Sequence, residues 1–395
     1  MSIKRWSQFL VEMWQPLLFW TGGLVVIGGV LFFRLGSLTP GLSPAEIASR
    51  SNSFNLGSIV DNPLNAPYKL ILFGLMSLGH QREFSVRAVS AGFGLVIVGL
   101  FYYVISNWQE RRVAILGTLL FATSAWFLHF ARQGTPDITA ALLLSSLAYG
   151  IWIRKTKRSV FVGLVGIALA AWLIYIPGLI WFVIIGGIWQ SRQVGEHLKQ
   201  TKLSIPIVIV LGAAILAPLT VAIARQPSLL KPLVGLPSAN LANPYDLVRH
   251  IINIPFQIFF RGPNSPTTWL GRLPLLDIFT ASMCLLGIYA YYMRRKLDRT
   301  KILAGSIVIG VLLVGLRGSL SIIVLAPFIY ILVTAGVAYL LKQWFDVFPR
   351  NPLARSVGLG IVTIAVALSC YYNLRQYFVA WRGAPATKQA YQRRI

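Results

Sequence analysis

Residues 40–68 read PGLSPAEIASRSNSFNLGSIVDNPLNAPY, a polar stretch that lies between two strongly apolar segments. Two of the chain's eleven acids, Glu46 and Asp61, fall within it. Carboxylates are costly and rare inside a hydrocarbon layer, so a polar segment with two acids indicates a loop outside a membrane. The stretch therefore predicts a membrane protein whose first loop carries functional groups.

The composition supports this class of protein. Hydrophobic residues make up 56% of the 395 residues, and charged residues only 12%. The apolar runs approach the length of about 20 residues with which a helix crosses a bilayer. We therefore predict an all-α polytopic membrane protein with about eleven transmembrane helices. The predicted spans are residues 17–35, 84–108, 113–130, 138–153, 160–174, 177–189, 203–224, 273–293, 302–316, 320–341 and 356–374.

These spans organise the chain into one transmembrane domain, predicted for residues 1–374. Two long polar segments interrupt it, a first outer loop at 35–83 and a second long outer loop at 226–272. Residues 375–395 are predicted to form a short outer tail, and no soluble domain is expected.

Three helices are predicted to lie along the membrane surface within the outer loops. In the first, Ser43 is the cap, Pro44 opens the first turn and Glu46 completes a capping box. The second covers residues 66–78 and is too short to cross the bilayer. The third is predicted to begin near Asn243.

The distribution of charge predicts the orientation of the chain. The sequence has 36 Lys and Arg against 11 Asp and Glu, a net charge of +25. The clusters RKTKR at 154–158 and RRKLDRTK at 294–301 fall in short loops, which face the cytoplasm under the positive-inside rule. We therefore predict a multi-pass protein of the inner (plasma) membrane, with its N-terminus in the cytoplasm and its C-terminus outside. The basic loops are expected to contact membrane lipids, and no basic groove or stacking motif predicts binding to nucleic acid.

Three acids are candidates for catalytic residues, and each has a structural alternative. Glu46 either acts on a substrate or only closes the capping box with Ser43. Asp137, in ARQGTPDITAALLL, either faces the same outer cavity as Glu46 and orients the acceptor or a catalytic partner, or is a first-turn acid favoured by the helix dipole. Asp61 either assists Glu46 or forms the turn before Pro63.

Five cations are candidates for binding a phosphate. Arginine suits bidentate recognition of phosphate, and a lysine close to the bilayer surface can hold a lipid phosphate. The alternatives are membrane anchoring, snorkelling and lipid contact. No spacing typical of a metal site occurs, so no metal ligand is predicted. The candidates are Lys69, Arg132, Arg249, Arg261 and Arg317.

The order and spacing of four segments within the first 155 residues are typical of a known family. The segments are PGLSPAEIAS, NPLNAPYKLILFGLMSLG, REFSVRAVSAGFGLVIVGLFYYV and RRVAILGTLLFATSAWFLHFARQGTPDITAALLL. Weaker similarity extends to FRGPNSPTTWLGRLPLLD and to YFVAWRGAPATKQAY. Together they resemble the GT-C glycosyltransferases, and among these the branch of the dolichyl-phosphate-mannose-protein mannosyltransferases (PMT) and the aminoarabinose transferases.

The resemblance implies a GT-C-like bundle of the cell envelope that transfers a hexosyl or pentosyl group from a polyprenyl-phosphate donor at the outer face. By motif, Glu46 matches the acid of the first loop, which the resemblance implies acts on the acceptor as the base, and Asp137 matches the acid that opens the fourth span. Lys69 and the arginines of the second loop match the family's phosphate-binding groups more loosely. Ala45 stands where many members have the first acid of an Asp-Glu pair.

The implied reaction is an inverting transfer. A carboxylate takes the proton from an acceptor hydroxyl or amine, and cations such as Lys69 or Arg261 stabilise the departing lipid phosphate. No cofactor is required, and the need for a divalent metal is left open, as is whether the acceptor is a glycan, a lipid or a protein. The alternatives are a transporter or flippase for lipid-linked sugars, and an inactive scaffold.

Overall fold

The structure is a computed structural model, and it describes residues 21–79, 83–157, 159–198, 204–237 and 243–391. Within these ranges the chain is helical, and no strand is present. Short 3₁₀ segments cover Pro136–Leu143, Pro227–Leu229 and Ile322–Leu325, and a π-helical turn covers Gln376–Trp381. The α-helices are α1 (Thr21–Phe32), α2 (Pro44–Ser51), α3 (Leu56–Asp61), α4 (Ala66–Ser77), α5 (Glu83–Trp108), α6 (Arg111–Thr123), α7 (Ala125–Ala131), α8 (Leu144–Lys155), α9 (Val160–Ile174), α10 (Ile180–Leu198), α11 (Ser204–Arg225), α12 (Leu230–Leu233), α13 (Pro244–Phe259), α14 (Ile278–Tyr292), α15 (Asp298–Gly315), α16 (Ala326–Val347), α17 (Pro352–Arg375) and α18 (Pro385–Ala390).

Five helices in the described part of the chain are long and apolar enough to cross a membrane. A sixth is present if α6 and α7 are counted as one bent span. The prediction of an all-α polytopic membrane protein is therefore confirmed, whereas the predicted number of about eleven spans is not. The five helices are Glu83–Trp108, Pro136–Lys155, Ile205–Arg225, Ile322–Val347 and Pro352–Trp381.

The predicted span 113–130 is not one straight helix. It breaks at Ser124, and α6 and α7 meet at an angle of 59°. Ser124 has an extended backbone (φ −60°, ψ 136°), and its Oγ accepts a hydrogen bond from the N–H of Phe127 at 3.2 Å. The N–H of Ala125 donates to the side chain of Asn373 at 3.1 Å. Ser124 therefore ends one helix and caps the next, which turns residues 129–134 towards the first loop.

Local signals in the first loop are confirmed. Ser43 and Glu46 form the predicted capping box of α2, and α4 closely matches the helix predicted over 66–78. Asn65, just before α4, has a left-handed backbone (φ 58°), and its N–H donates to the carbonyl of Tyr175 at 2.7 Å. This bond holds α4 against the connection between α9 and α10. The position of α2 and α4 along a membrane surface stays a prediction.

The other predicted surface helix is also present. It is α13, and Asn243 is its N-cap residue, although no side-chain capping bond forms there.

The helices α14 and α16 pack closely because small residues face each other across the contact. Built onto Gly287, a Cβ would overlap the backbone carbonyl of Leu332, and built onto Gly336 it would overlap that of Met283. Helix α16 is buried over most of its length. The two backbones therefore touch directly, and α16 is the central helix of the bundle.

Asp277 joins α14 to α17. As the N-cap of α14, its Oδ1 accepts a hydrogen bond from the N–H of Thr280 at 3.0 Å. Its Oδ2 accepts hydrogen bonds from the side chains of Ser369 and Asn373, both at 2.7 Å. All these contacts lie within the helix bundle, so Asp277 has a structural role.

We expect Gly287→Ala to destabilise the protein, because the added methyl group has no space between α14 and α16. Overpacking of this kind costs about 1–3 kcal/mol. The measurement is the midpoint of thermal unfolding in detergent. Gly360→Ala is the matched control, since no atom lies within 4 Å of a Cβ built there. Equal midpoints for the two variants would contradict the direct backbone contact.

Candidate active site

Glu46 lies in α2 of the first loop, and its side chain is fully buried. Its Oε1 accepts hydrogen bonds from Nε of Arg87 at 2.7 Å and from the N–H of Gly134 at 2.9 Å. Its Oε2 accepts from the N–H of Ser43 at 2.7 Å and from Nη2 of Arg87 at 3.2 Å. Each carboxylate oxygen therefore has two donors, and the group joins α2, α5 and the segment after α7.

Arg87 completes this network with contacts to the chain that enters the first loop. Its guanidinium donates to the carbonyls of Leu35 at 3.1 Å and Gly41 at 2.7 Å, and to the hydroxyl of Thr39 at 2.9 Å. The sequence reasoning did not select Arg87. The available signal was an arginine one turn inside an otherwise apolar span, where charged residues are rare and usually paired.

Gly134 is needed because of the close approach between residue 134 and α5. Built onto Gly134, a Cβ would lie 2.5 Å from Cγ1 of Val86. Without a side chain, the backbone N–H of residue 134 comes within hydrogen-bond distance of Glu46. A larger residue would push the segment away from the carboxylate.

Arg132, a predicted phosphate ligand, is buried and bound to the end of α1. Its guanidinium donates to the carbonyls of Val30, Leu31 and Phe33, each at 2.6 Å. The charge also lies 4.7 Å from the ring centre of Phe378. Since helix ends carry unsatisfied carbonyls, Arg132 acts here as a cap of α1.

An aromatic wall closes the space below the Glu46–Arg87 pair. His129, Tyr377, Trp381 and Tyr391 line a cavity of about 10 Å³ together with Glu46. The His129 ring lies 4.8 Å from that of Tyr377 and 4.7 Å from that of Trp381, measured between centres. No step of the sequence reasoning assigned these residues a role. For Tyr377, Trp381 and Tyr391 the available signal was the weak similarity in YFVAWRGAPATKQAY.

Two residues of this wall also bind the second long loop. Nε1 of Trp381 donates to the carbonyl of Pro266 at 2.9 Å, and the hydroxyl of Tyr391 donates to that of Thr267 at 2.7 Å. Burial raises the pKa of the Tyr391 phenol well above its usual range, and the nearby charge of Glu46 raises it further. Tyr391 is therefore neutral and acts as a hydrogen-bond donor.

Asp137 has a different environment from Glu46. It is half-buried at the start of the 3₁₀ segment, and its Oδ2 accepts a hydrogen bond from the hydroxyl of Thr135 at 2.9 Å. No residue of the described chain donates to its Oδ1. Asp137 lines a small cavity of about 20 Å³ together with Ser319 and Ser321. It therefore retains an oxygen that can accept a proton.

Lys69 lies in α4 and is 7% exposed. Its Nζ donates to the carbonyl of Asn62 at 2.6 Å. Burial lowers the pKa of Lys69 to about 8, because the charged ammonium loses hydration. Its charge is therefore sensitive to pH in a range where an exposed lysine stays fully charged.

Arg249 and Arg317, both predicted phosphate ligands, lie at one open cavity of about 500 Å³. His250 and Asn253 also line it, and no acid does so among the described residues. Nη1 of Arg317 lies 3.2 Å from Nε2 of His250. Arg317 has a left-handed backbone (φ 53°), which places it in a tight turn after α15. This arrangement suits the binding of an anion.

The remaining candidates lie apart from these sites. Asp61 is exposed at the end of α3, and Arg261 is exposed after α13 and lines none of the cavities described above. The structure brings Glu46 and Arg132 together at one buried cavity, and it brings Arg249 and Arg317 together at a separate, open cavity. Among the described residues, no group of three His, Cys, Asp or Glu could hold a metal ion.

Two solved structures share this arrangement of helices. The crystal structure of ArnT from Cupriavidus metallidurans in the apo state aligns with a TM-score of 0.56 and 14% identity, over 95% of this chain and 75% of that chain. The crystal structure of ArnT from the same organism bound to undecaprenyl phosphate aligns with a TM-score of 0.56 and 13% identity, over 94% of this chain and 77% of that chain. No protein-family model and no curated protein matches the sequence. The predicted GT-C-like fold is confirmed.

We expect Arg87→Met to unfold or strongly destabilise the protein, because it leaves the buried Glu46 carboxylate without its counter-ion. Removal of one partner from a buried pair costs about 3–5 kcal/mol. Arg192→Met is the control, since the Arg192 side chain is 92% exposed and its nitrogen lies 3.7 Å from Glu196. The measurement is thermal unfolding in detergent for both variants. A similar small loss in each would show that the Glu46–Arg87 pair does not hold the loop.

Proposed function

We propose that this protein transfers a sugar from a polyprenyl-phosphate donor to an acceptor hydroxyl or amine at the outer face of the membrane. The observation that carries the proposal is a half-buried acid, Asp137, one of whose oxygens receives no hydrogen bond from the described residues, close to a turn whose Arg317 lines a basic cavity. The fold of ArnT, which was also solved with bound undecaprenyl phosphate, supports a donor of this class. The acceptor is a glycan, a lipid or a protein.

Asp137 is the proposed base. A general base must be able to accept a proton, and Oδ1 of Asp137 has no donor within the described chain. Glu46 already receives two hydrogen bonds on each oxygen, and protonation would disrupt its pair with Arg87. We therefore assign Glu46 the role of a positioning residue, which fixes Gly134 and the segment that leads to Asp137.

The cations are proposed to stabilise the phosphate that leaves. The acceptor oxygen or nitrogen forms a bond to the anomeric carbon while the bond from that carbon to the phosphate oxygen breaks. The acceptor proton moves to Asp137, and the electron pair of the broken bond stays on the phosphate. Arg249, Arg317 and Lys69 are proposed to stabilise that charge. A phosphate is a good leaving group, so no general acid is needed.

The proposed orientation follows from where the charged groups lie along the helices. The first loop contacts the start of α5 through Arg87, and Arg317 follows the end of α15. The basic cluster at 294–301 lies at the other end of α15 and faces the cytoplasm under the positive-inside rule. We therefore propose that the first loop, Asp137 and Arg317 face outward in the inner membrane.

We expect Asp137→Asn to lower the rate of sugar transfer by about 10²–10⁴-fold, the usual contribution of a general base. The assay measures the mass shift of acceptors when purified protein receives mixed polyprenyl-phosphate sugars. Asp61→Asn is the control, since Asp61 is exposed and lies in none of these cavities. Undiminished transfer by Asp137→Asn would remove it as the base. If the lipid-linked sugar donor crossed the membrane of sealed vesicles with its glycosidic bond intact, the result would favour the alternative function, a transporter or flippase.

We expect donor binding to weaken as the pH rises through about 8, because Lys69 loses its charge there. A cation near a lipid phosphate contributes on the order of 1 kcal/mol, so the donor KM should rise about fivefold between pH 7 and 9. Lys69→Arg should remove this rise, since arginine stays charged throughout.

Lys231→Arg is the control for the pH experiment. Lys231 is an exposed lysine of the second long loop, and its replacement should leave the pH profile unchanged. The same rise of KM in Lys69→Arg as in the unaltered protein would show that Lys69 does not contact the donor.

A further inference from the structure

A further cavity, called the cleft below, lies between α8, α10 and α15. Its volume is about 420 Å³, which is within the usual size of a small-molecule site. Its inner part is apolar and its mouth is basic. Residues that line the apolar part include Leu143, Leu147, Ile151, Phe182, Ile185 and Ile309.

The mouth of this cleft lies at the end of the bundle opposite the first loop. Trp108 lines it at the last residue of α5, whereas Arg87 binds Glu46 near the first residue of the same helix. At about 1.5 Å per residue the two positions are roughly 30 Å apart along the helix. That distance is close to the thickness of the hydrocarbon core of a bilayer, about 30 Å. The mouth of the cleft and the first loop therefore lie at opposite ends of the bundle.

Four cations surround the mouth of the cleft, namely Arg154, Lys155, Arg299 and Lys301. They come from the end of α8 and the start of α15, which are distant in the sequence. No acid lines the cleft among the described residues. Lys155 donates to the side chain of Asn107, and no described acid pairs with any of the four. The positive-inside rule explains basic loops, but it does not explain an apolar cleft directly beneath them.

The shape of the cleft suits a long apolar chain. Gly186 and Gly305 line it, and no atom lies within 4 Å of a Cβ built on either glycine. Trp108 and Trp189 line it together with the cations. Tryptophan is enriched where lipid headgroups meet acyl chains, so these rings lie where such a boundary is expected.

We propose that this cleft binds one anionic phospholipid of the leaflet opposite the first loop. An acyl chain lies between α8, α10 and α15, and the headgroup phosphate lies among Arg154, Lys155, Arg299 and Lys301. Charge complementarity selects an anionic headgroup over a zwitterionic one, because four cations without an acid favour a net negative ligand. The site is separate from the proposed donor site and needs no catalytic activity.

The test is native mass spectrometry of the purified full chain, titrated with phosphatidylglycerol and, separately, with phosphatidylcholine of the same acyl chains. We expect phosphatidylglycerol to stay bound and phosphatidylcholine to dissociate. Gly305→Leu should fill the cleft and reduce bound phosphatidylglycerol at least tenfold. Lys301→Gln should weaken binding about fivefold, the effect of one interfacial cation.

Two matched variants serve as controls. Gly360→Leu adds the same side chain to α17, where a Cβ also meets no atom, and Lys296→Gln removes an exposed lysine that does not line the cleft. Both should bind like the unaltered protein. Equal retention of the two lipids, or equal losses in cleft and control variants, would overturn the proposal.

A third titration separates this lipid site from the proposed donor site. We expect undecaprenyl phosphate to leave the bound phosphatidylglycerol in place. If it displaces phosphatidylglycerol and Gly305→Leu abolishes its binding, the cleft belongs to the sugar donor and the proposal fails. Because the readout is bound lipid, an enzyme without transfer activity would leave the result unchanged.

Discussion

The ion pair between Arg87 and Glu46 is the interaction on which the first-loop end of the molecule depends. Removing two charges from water costs several kcal/mol per ion, and the cost is offset only when hydrogen bonds satisfy the remaining polar atoms. Here all four acceptor positions on Glu46 are used. The same pair holds the chain before α2, the cap of α2 and the segment after α7. The Glu46–Arg87 pair therefore fixes the segment that leads to Asp137, although Asp137 is not itself part of the pair.

The aromatic wall extends this dependence to the far end of the chain. Tyr377, Trp381 and Tyr391 close the space below the ion pair, and their hydrogen bonds reach the loop around Pro266. A low-dielectric wall strengthens the ion pair because it excludes water. The second long loop, the tail and the first loop are thus one packed unit, although each is a separate polar segment in the sequence.

Short sequence signals predicted the features that depend on neighbouring residues, such as the starts of helices. The other features depend on contacts between residues that are distant in the sequence. The cap at Ser43 was predictable because a capping residue acts within one turn. The start of α13 at Asn243 was also predictable, although Asn243 makes no side-chain capping bond. The break at Ser124 was not, since a single serine inside an apolar run leaves the hydropathy of the run unchanged. The role of Arg132 was not either, because the carbonyls that it caps lie about a hundred residues earlier. The basic cavity was predicted only as separate arginines, and the fold brings Arg249 and Arg317 together.

The exposure of Ala45 and the burial of Glu46 bear on which residues would act in the proposed sugar transfer. Neighbouring residues of a helix project about 100° apart, and here Ala45 is exposed while Glu46 is buried. An acidic pair at these positions would place one carboxylate inward, where it supports the loop, and one outward, on the exposed face of α2. This chain keeps the inward acid and has a methyl group at the outward position. In the reaction that we propose, the base then comes from another element of the same end, and among the three candidate acids Asp137 is the one that combines partial burial with an unbonded oxygen in the described chain.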